Sequence, residues 1–68
     1  MSETAKRVGE AIRKARKEKG LTQKEVGRRL GITESTFNGY ESGRQNLTID
    51  TLQKIADALG VSLTVILE

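Results

Sequence analysis

The feature that most constrains this chain is a pair of closely spaced helix signals in residues 22–43. Thr22 can accept a hydrogen bond from a backbone amide of a first helical turn. Glu25, three residues later, can accept one from the amide of Thr22, which completes a capping box. This pattern predicts a helix over residues 23–30. Gly31 follows the last apolar residue and can adopt the left-handed conformation in which many helices end.

A second helix is predicted directly after a short turn. Thr33 is a suitable N-cap, and the helix should run from Glu34 to about Ser42, with Gly43 ending it. At about 100° per residue, the aromatic residues Phe37 and Tyr40 lie on one side of this helix. Short polar residues or Gly occupy the other side, namely Ser35, Asn38, Gly39 and Ser42. Such a face leaves the backbone accessible, and we expect it to lie against another surface.

Three further helices are predicted around this pair. Apolar residues recur every three or four positions over residues 4–19, which predicts an amphipathic helix capped by Thr4 or Ser2. Thr48 caps a predicted helix over residues 49–59. Ser62 caps a short one over residues 63–67, although the β-branched residues there also suit a strand.

We therefore expect an all-α fold, a compact bundle of about five short helices with a helix-turn-helix, forming one domain over residues 1–68. The predicted core residues are Val8, Ile12, Ala15, Leu21, Val26, Leu30, Ile32, Phe37, Tyr40, Leu52, Ile55, Leu59, Val61 and Ile66.

The composition narrows the classes of function. The chain has no Cys and no His, which excludes disulfides, Cys or His zinc sites and imidazole acid–base catalysis. It also lacks a Gly-rich phosphate loop, so we expect no enzymatic activity, no metal and no cofactor. No apolar run approaches the roughly 20 residues of a membrane helix. We expect a cytoplasmic protein with no membrane partner.

The net charge of +3 is distributed unevenly. Residues 1–33 contain ten Lys or Arg and four Glu, whereas residues 34–68 contain two basic and five acidic residues. A basic half is typical of proteins that bind a polyanion such as DNA. The alternative interpretation is that these charges only solvate helix surfaces.

Several spaced motifs extend over nearly the whole chain. They are Arg16, Gly20 to Gln23, Leu30 to Ile32, Ser35 with Thr36, Tyr40 to Gly43, and Leu52 to Leu63. Together they resemble the helix-turn-helix domains of the lambda-repressor, Cro and xenobiotic-response-element type. A shorter match, Arg44 to Ile49, resembles the controller proteins of restriction-modification systems. The resemblance implies a transcription regulator, such as a repressor, that binds double-stranded operator DNA as a two-fold homodimer.

In such domains the second helix of the motif lies in the major groove of DNA. The resemblance therefore implies four base-reading positions: Glu34, Ser35, Asn38 and Gly39. Glu34 could accept a hydrogen bond from cytosine, but a carboxylate is also favoured at any helix N-terminus, and phosphates would repel it. Asn38 could pair with adenine or simply be a solvated polar residue.

Other residues are implied to contact the DNA backbone or to hold the motif together. Gln23 matches a position that contacts phosphate and braces the reading helix. The loop after that helix, with Arg44, Gln45 and Asn46, is implied to contact the backbone or groove, and Lys24 and Arg28 are further candidates for phosphate contacts. Arg16 and Glu41 match a partly buried ion pair.

Gly27, Phe37 and Gly39 depart from the family pattern. The family usually has Ala and a smaller aliphatic residue at the first two positions. Gly39 removes a side chain from a position that often reads a base, so direct readout should fall mainly to the other three reading positions. A Gly inside a helix costs about 1 kcal/mol relative to Ala. We expect Gly27 to permit a close approach and to make room for Phe37.

The C-terminal segment contains more apolar side chains than a small core can bury. We expect a dimer interface formed by Leu63, Val65, Ile66 and Leu67. The alternative is a frayed apolar tail. For the whole chain, the leading hypothesis is a DNA-binding regulator, and the rival is a protein-interaction module of the antitoxin or adaptor kind.

Overall fold

Every helix of the computed structural model, which describes residues 2–68, begins directly after a Ser or Thr. The five helices are α1 (Glu3–Glu18), α2 (Gln23–Leu30), α3 (Glu34–Glu41), α4 (Ile49–Leu59) and α5 (Leu63–Leu67). In the first four, the cap hydroxyl accepts a hydrogen bond from the amide three residues later, at 3.0 to 3.1 Å. The all-α prediction is confirmed, and the helix boundaries differ from those expected by one residue at most.

Each helix contributes at least one fully buried β-branched or aromatic side chain to the core. These are Ile12, Val26, Phe37, Ile55 and Ile66, whose exposed fractions are 0 to 1%. The β-branched α5 is helical because this places Ile66 against α1 and α4. Several other predicted core residues are only partly buried and pack around the rim, namely Val8, Leu21, Leu30, Ile32, Tyr40 and Val61. In residues 2–68, no helix combines the length and the apolar character needed to cross a membrane.

Two glycines let α1 pass directly over the C-terminal end of α3. A Cβ atom at Gly9 would collide with the carbonyl oxygen of Glu41 and lie 2.7 Å from that of Tyr40. Gly43 has φ +76°, and a Cβ atom there would lie 2.7 Å from the Cα atom of Lys6. Because only backbone atoms face these positions, no side-chain rotation could make room. The position of α3 is thus fixed by close backbone packing.

Gly27 permits a close approach of backbone, as expected, and this backbone belongs to the turn after its own helix. A Cβ atom at this position would lie 3.0 Å from the carbonyl oxygen of Ile32 and 3.4 Å from that of Thr33. Gly27 therefore makes room for the turn between α2 and α3, whose backbone atoms are nearer to this position than any atom of Phe37. The turn itself passes through Gly31, with φ +73°, and the amide of Ile32 donates to the carbonyl oxygen of Gly27 at 2.9 Å.

Candidate nucleic-acid interface

The solvent-facing side of α3 carries short polar side chains because its aromatic residues are turned inward. Phe37 is fully buried, and Tyr40 is half-buried against it in an edge-to-face arrangement with 6.3 Å between ring centroids. Glu34, Ser35 and Asn38 are exposed on the opposite side. Three of the four predicted reading residues are therefore accessible.

A shallow concavity lies between α2 and α3. It is lined by Gln23, Thr33, Glu34, Ser35 and Asn38. Gln23 is thus next to the three exposed reading positions, as a residue that contacts the DNA backbone beside a reading helix would be.

The buried ion pair of this region joins α1 to α3. Arg16 Nε donates to Glu41 Oε2 at 2.6 Å and Nη2 donates to Oε1 at 3.2 Å, while the two side chains are 10% and 2% exposed. Arg16 Nη1 also donates to the carbonyl oxygen of Leu21 at 2.8 Å. Within residues 2–68, every buried side-chain nitrogen or oxygen has a hydrogen-bond partner. The pair is therefore fully satisfied, as a buried charge requires.

Hydrogen bonds continue from this ion pair to the exposed face of α3. Gln23 Nε2 donates to Glu41 Oε1 at 2.9 Å, and Asn38 Nδ2 donates to Gln23 Oε1 at 3.4 Å. Gln23 is thus held from both ends by α3. We call the series Arg16, Glu41, Gln23 and Asn38 the polar relay. It fixes the rotation of α2 relative to α3, and with it the surface that the two helices present.

Arg44 folds back onto α3 from the following loop. Its Nη2 donates to Asn38 Oδ1 and its Nε donates to Ser42 Oγ, both at 3.0 Å. Ser42 Oγ in turn donates to the carbonyl oxygen of Gly39 at 3.1 Å. At its Asn38 end, the polar relay is therefore joined to Arg44, whose side chain is held against α3 by these hydrogen bonds.

Gly39, one of the four implied reading positions, does not lie on the open surface. The residue is buried, and a Cβ atom there would lie 3.4 Å from Gln45 Nε2 and 3.8 Å from Arg44 Nη2. Because Gly39 has no side chain, those of Arg44 and Gln45 occupy the space above it. This contact connects residues five or six positions apart and left no signal in the helix pattern.

The remaining polar candidates are exposed but fall into two groups. Lys24 and Arg28 are four residues apart on α2 and therefore lie on one side of it. Gln45 and Asn46 line a groove that also contains Leu47 and other apolar residues, so they border apolar surface.

Arg29 was not singled out by the sequence pattern. Its Nη1 donates to the carbonyl oxygen of Ala58 at 2.8 Å and ties α2 to α4.

The start of α2 is stabilised electrostatically. The backbone amide of Thr22 donates to Glu25 Oε1 at 3.0 Å, and the Thr22 side chain accepts from the amide of Glu25. Hydrogen bonds from the backbone amide and from the side chain of Thr22 to the Glu25 carboxyl lower its pKa below the ordinary value of 4.5. Gln23, the first residue of α2, is thereby held in place at a well-capped helix end.

The residues predicted for a dimer interface divide into core and surface. Ile66 is 1% exposed inside the chain's own core, so its assignment to an interface is wrong. Val65 and Leu67 are 44% and 48% exposed, and Leu63 is half-buried. The analysis missed Ile49, which is 63% exposed and lines one groove with Leu67. The signal for the exposure of Ile49 was its place directly after the Thr48 cap, since a residue in the first turn of a helix often faces solvent.

Comparison with known proteins identifies the family. A family model described as Helix-turn-helix matches residues 12–66, which includes all of α2, α3 and α4. The chain belongs to the helix-turn-helix family. It is of the Cro/C1 and xenobiotic-response-element type, which confirms the resemblance of its motifs. Helices α2 and α3 form the helix-turn-helix.

Several helix-turn-helix proteins are similar over most of their length. An uncharacterized HTH-type transcriptional regulator of Sinorhizobium fredii is 47% identical over 57 residues, which are 84% of this chain and 74% of that protein. The clp gene regulator ClgR of Corynebacterium glutamicum has a TM-score of 0.93 and 25% identity, covering 98% of this chain and 87% of that one. The restriction-modification controller protein C.AhdI of Aeromonas hydrophila has a TM-score of 0.84 and 27% identity, covering 91% and 94%.

Other relatives with this helix-turn-helix domain are longer. Antitoxin HigA1 of Mycobacterium tuberculosis is 36% identical over 67 residues, which are 98% of this chain but only 45% of that protein. This chain thus spans less than half the length of that relative.

Proposed function

We propose that this chain is a sequence-specific transcription regulator of the cytoplasm that binds two-fold operator DNA as a homodimer, without enzymatic activity. The observation that carries the proposal is the exposed polar face of α3, held in one orientation by the polar relay and by close packing on α1. Family membership indicates how such a face would bind, since the second helix of the motif enters the major groove of DNA.

In this mode the two helices of the motif divide their contacts. Ser35 and Asn38 lie on the face of α3 that would approach the base edges, with Glu34 at its N-terminal end. Gln23 lies at the N-terminus of α2, where free backbone amides also favour a phosphate. Lys24 and Arg28 on the same helix would neutralise further phosphates.

The dimer is proposed from apolar surface and from size. Ile49, Val65 and Leu67 are large apolar side chains that the chain leaves exposed. The longest dimension of the Cα trace is 26 Å. Because reading helices in two-fold complexes are about 34 Å apart, two copies are needed to place α3 in successive major grooves.

The test is selection from random duplex pools at two salt concentrations. We expect an enriched two-fold motif with half-sites about one helical turn apart. Affinity should fall steeply with salt, as for about six phosphate contacts per dimer.

Lys24→Ala or Arg28→Ala should reduce the dependence of affinity on salt. Lys54→Ala, which removes an exposed charge from α4, should leave it unchanged. Weak binding without an enriched motif would reject the regulator.

The second candidate is a protein-interaction module. It is favoured by Glu34, a carboxylate on the face that would otherwise approach phosphates, and by the likeness to a protein named as an antitoxin. The same selection separates the two functions. If no sequence is enriched, the immobilised protein would be used to capture a protein partner through the α3 face. Ser35→Arg, which changes that face, should abolish the capture.

A further inference from the structure

The guanidinium of Arg44 is held along one edge and free along another. Nε and Nη2 share the edge that donates to Ser42 Oγ and Asn38 Oδ1. The adjacent edge, formed by Nη1 and the second hydrogen of Nη2, has no hydrogen bond within residues 2–68. A planar arginine fork with one edge fixed presents the other in a defined direction.

The position of this guanidinium is on the face of α3 itself. Nη2 and Nε lie 3.8 and 4.0 Å from where a Cβ atom of residue 39 would be. Gly39 follows Asn38 and is four residues after Ser35, so it belongs to the same side of the helix. Arg44 thus supplies, from the loop, a side chain at a place where α3 has none.

Asn38 is engaged at both atoms that a base would need. Its Oδ1 accepts from Arg44 and its Nδ2 donates to Gln23. The oxygen still has a second lone pair and the nitrogen a second hydrogen, so these contacts fix the plane of the amide rather than use up its capacity for a base. Asn38 therefore has the contacts of a residue that orients its neighbour.

We infer that Arg44 reads a guanine through Nη1 and Nη2, and that Asn38 and Ser42 are positioning residues for it. Guanine is the base whose O6 and N7 acceptors match two parallel N–H donors. This assignment rests on the proposed DNA-binding function. It replaces Asn38 as an adenine reader and Arg44 as a phosphate contact.

The experiment uses the operator obtained by selection and measures binding to every single base-pair substitution. Arg44→Lys keeps the charge but loses the fork. We expect it to lose preference at one G·C pair per half-site by about 5- to 150-fold, the range for a bidentate contact. Preference at other positions should stay unchanged. Arg13→Lys, at an exposed arginine of α1, is the matched control and should alter no base preference.

A base analogue isolates the contact. Replacing that guanine by 7-deazaguanine removes the N7 acceptor, which should weaken binding of the unmodified protein and leave Arg44→Ala unaffected. Asn38→Ala and Ser42→Ala should weaken preference at the same G·C pair, and either should add little to Arg44→Ala, since all three act through one side chain. Circular dichroism would verify that the variants are folded.

Two results would overturn the inference while leaving the regulator in place. One is a uniform loss of affinity by Arg44→Ala at all sequences with a smaller salt slope, which defines a phosphate contact. The other is relaxation at an A·T pair by Asn38→Ala in a protein that retains Arg44, which defines Asn38 as the reader. Absence of any enriched motif with the unmodified protein would instead reject the proposed function, and this inference with it.

Discussion

At the scale of single residues, two glycines within helices have opposite surroundings. Gly9 faces backbone carbonyl oxygens of α3, whereas Gly39 faces the ends of two flexible side chains. Neither position requires a left-handed backbone. The difference decides what a methyl group would do at each position, because backbone atoms cannot move aside as a side chain can.

We expect Gly39→Ala to raise the free energy of unfolding by about 1 kcal/mol, the helix-propensity difference between Gly and Ala. Gly9→Ala should gain the same amount but lose more through overpacking, which costs typically about 1–3 kcal/mol and more when backbone must shift. Urea denaturation of the two variants measures both effects. A Gly9→Ala variant as stable as the parent would contradict the close packing of α1 on α3.

The ion pair between Arg16 and Glu41 is the second residue-scale determinant. Glu41→Gln leaves the Arg16 charge buried without a counter-charge, so we expect it to lower the free energy of unfolding by about 3–5 kcal/mol. The double variant Arg16→Met with Glu41→Leu removes both charges and should recover much of that loss. Chemical denaturation of the single and double variants is the measurement. Additive losses would show that the two residues do not act as a pair.

At the scale of elements, each helix is defined by its ends. Thr22 begins α2 with reciprocal hydrogen bonds to Glu25, and α2 ends at Gly31 in a left-handed conformation. A cap hydroxyl also accepts an amide hydrogen bond at the start of α1, α3 and α4, so these boundaries depend little on the rest of the fold. These ends nevertheless matter for the site, because the first residue of α2 is Gln23.

The capping box predicts an acid-sensitive contribution to stability. The pKa of Glu25 is lowered in the folded chain by hydrogen bonds from Thr22. Its contribution is therefore present above its ordinary pKa of 4.5 and is lost as the pH falls through the lower folded value. Glu25→Gln should flatten this part of the stability–pH curve. A Glu25→Gln protein that keeps this acid-sensitive part of the curve would contradict the contribution of Glu25.

Removing the cap itself tests the same element without a change of pH. Thr22→Ala should lower the free energy of unfolding by about 0.5–2 kcal/mol at neutral pH. Because the cap precedes Gln23, DNA affinity should fall as well. Thermal and urea unfolding would measure the loss. An unchanged unfolding free energy would show that packing alone maintains the start of α2.

At the scale of the whole molecule, two parts of the surface differ in polarity, and in the apolar part Ile49 and Leu67 line one groove. The α2 and α3 face is polar, with side chains held by the polar relay, whereas Ile49, Val65 and Leu67 are exposed and apolar. The first region suits a polar ligand such as DNA. The second suits a second copy of the chain.

We expect Val65→Lys or Leu67→Lys to shift the protein from dimer to monomer while it stays folded, because each puts a charge where apolar surface would be buried. Sedimentation equilibrium over a range of concentrations is the measurement. Ile66→Val is the control, and it should cost about 0.5–1.5 kcal/mol of stability without changing the oligomeric state. A Leu67→Lys protein that remains dimeric would locate the interface elsewhere.

The sequence by itself determined the family and, within one residue, the positions of the first four helices. N-cap hydroxyls, the capping box and terminal glycines act within four residues, so their effect can be recognised locally, and the bounds of α2 and α4 followed from them. The pattern of apolar residues likewise identified which side of α3 faces inward, with Phe37 buried and Asn38 exposed.

Only the tertiary structure decided how the site is assembled. The relay joins Arg16 to Glu41 across 25 positions and Asn38 to Gln23 across 15, and such contacts depend on how helices cross rather than on where they begin. The burial of Gly39 had the same origin, since it follows from the path of the loop after α3. Local chemistry fixed the elements, and side-chain contacts between distant positions fixed the face they present.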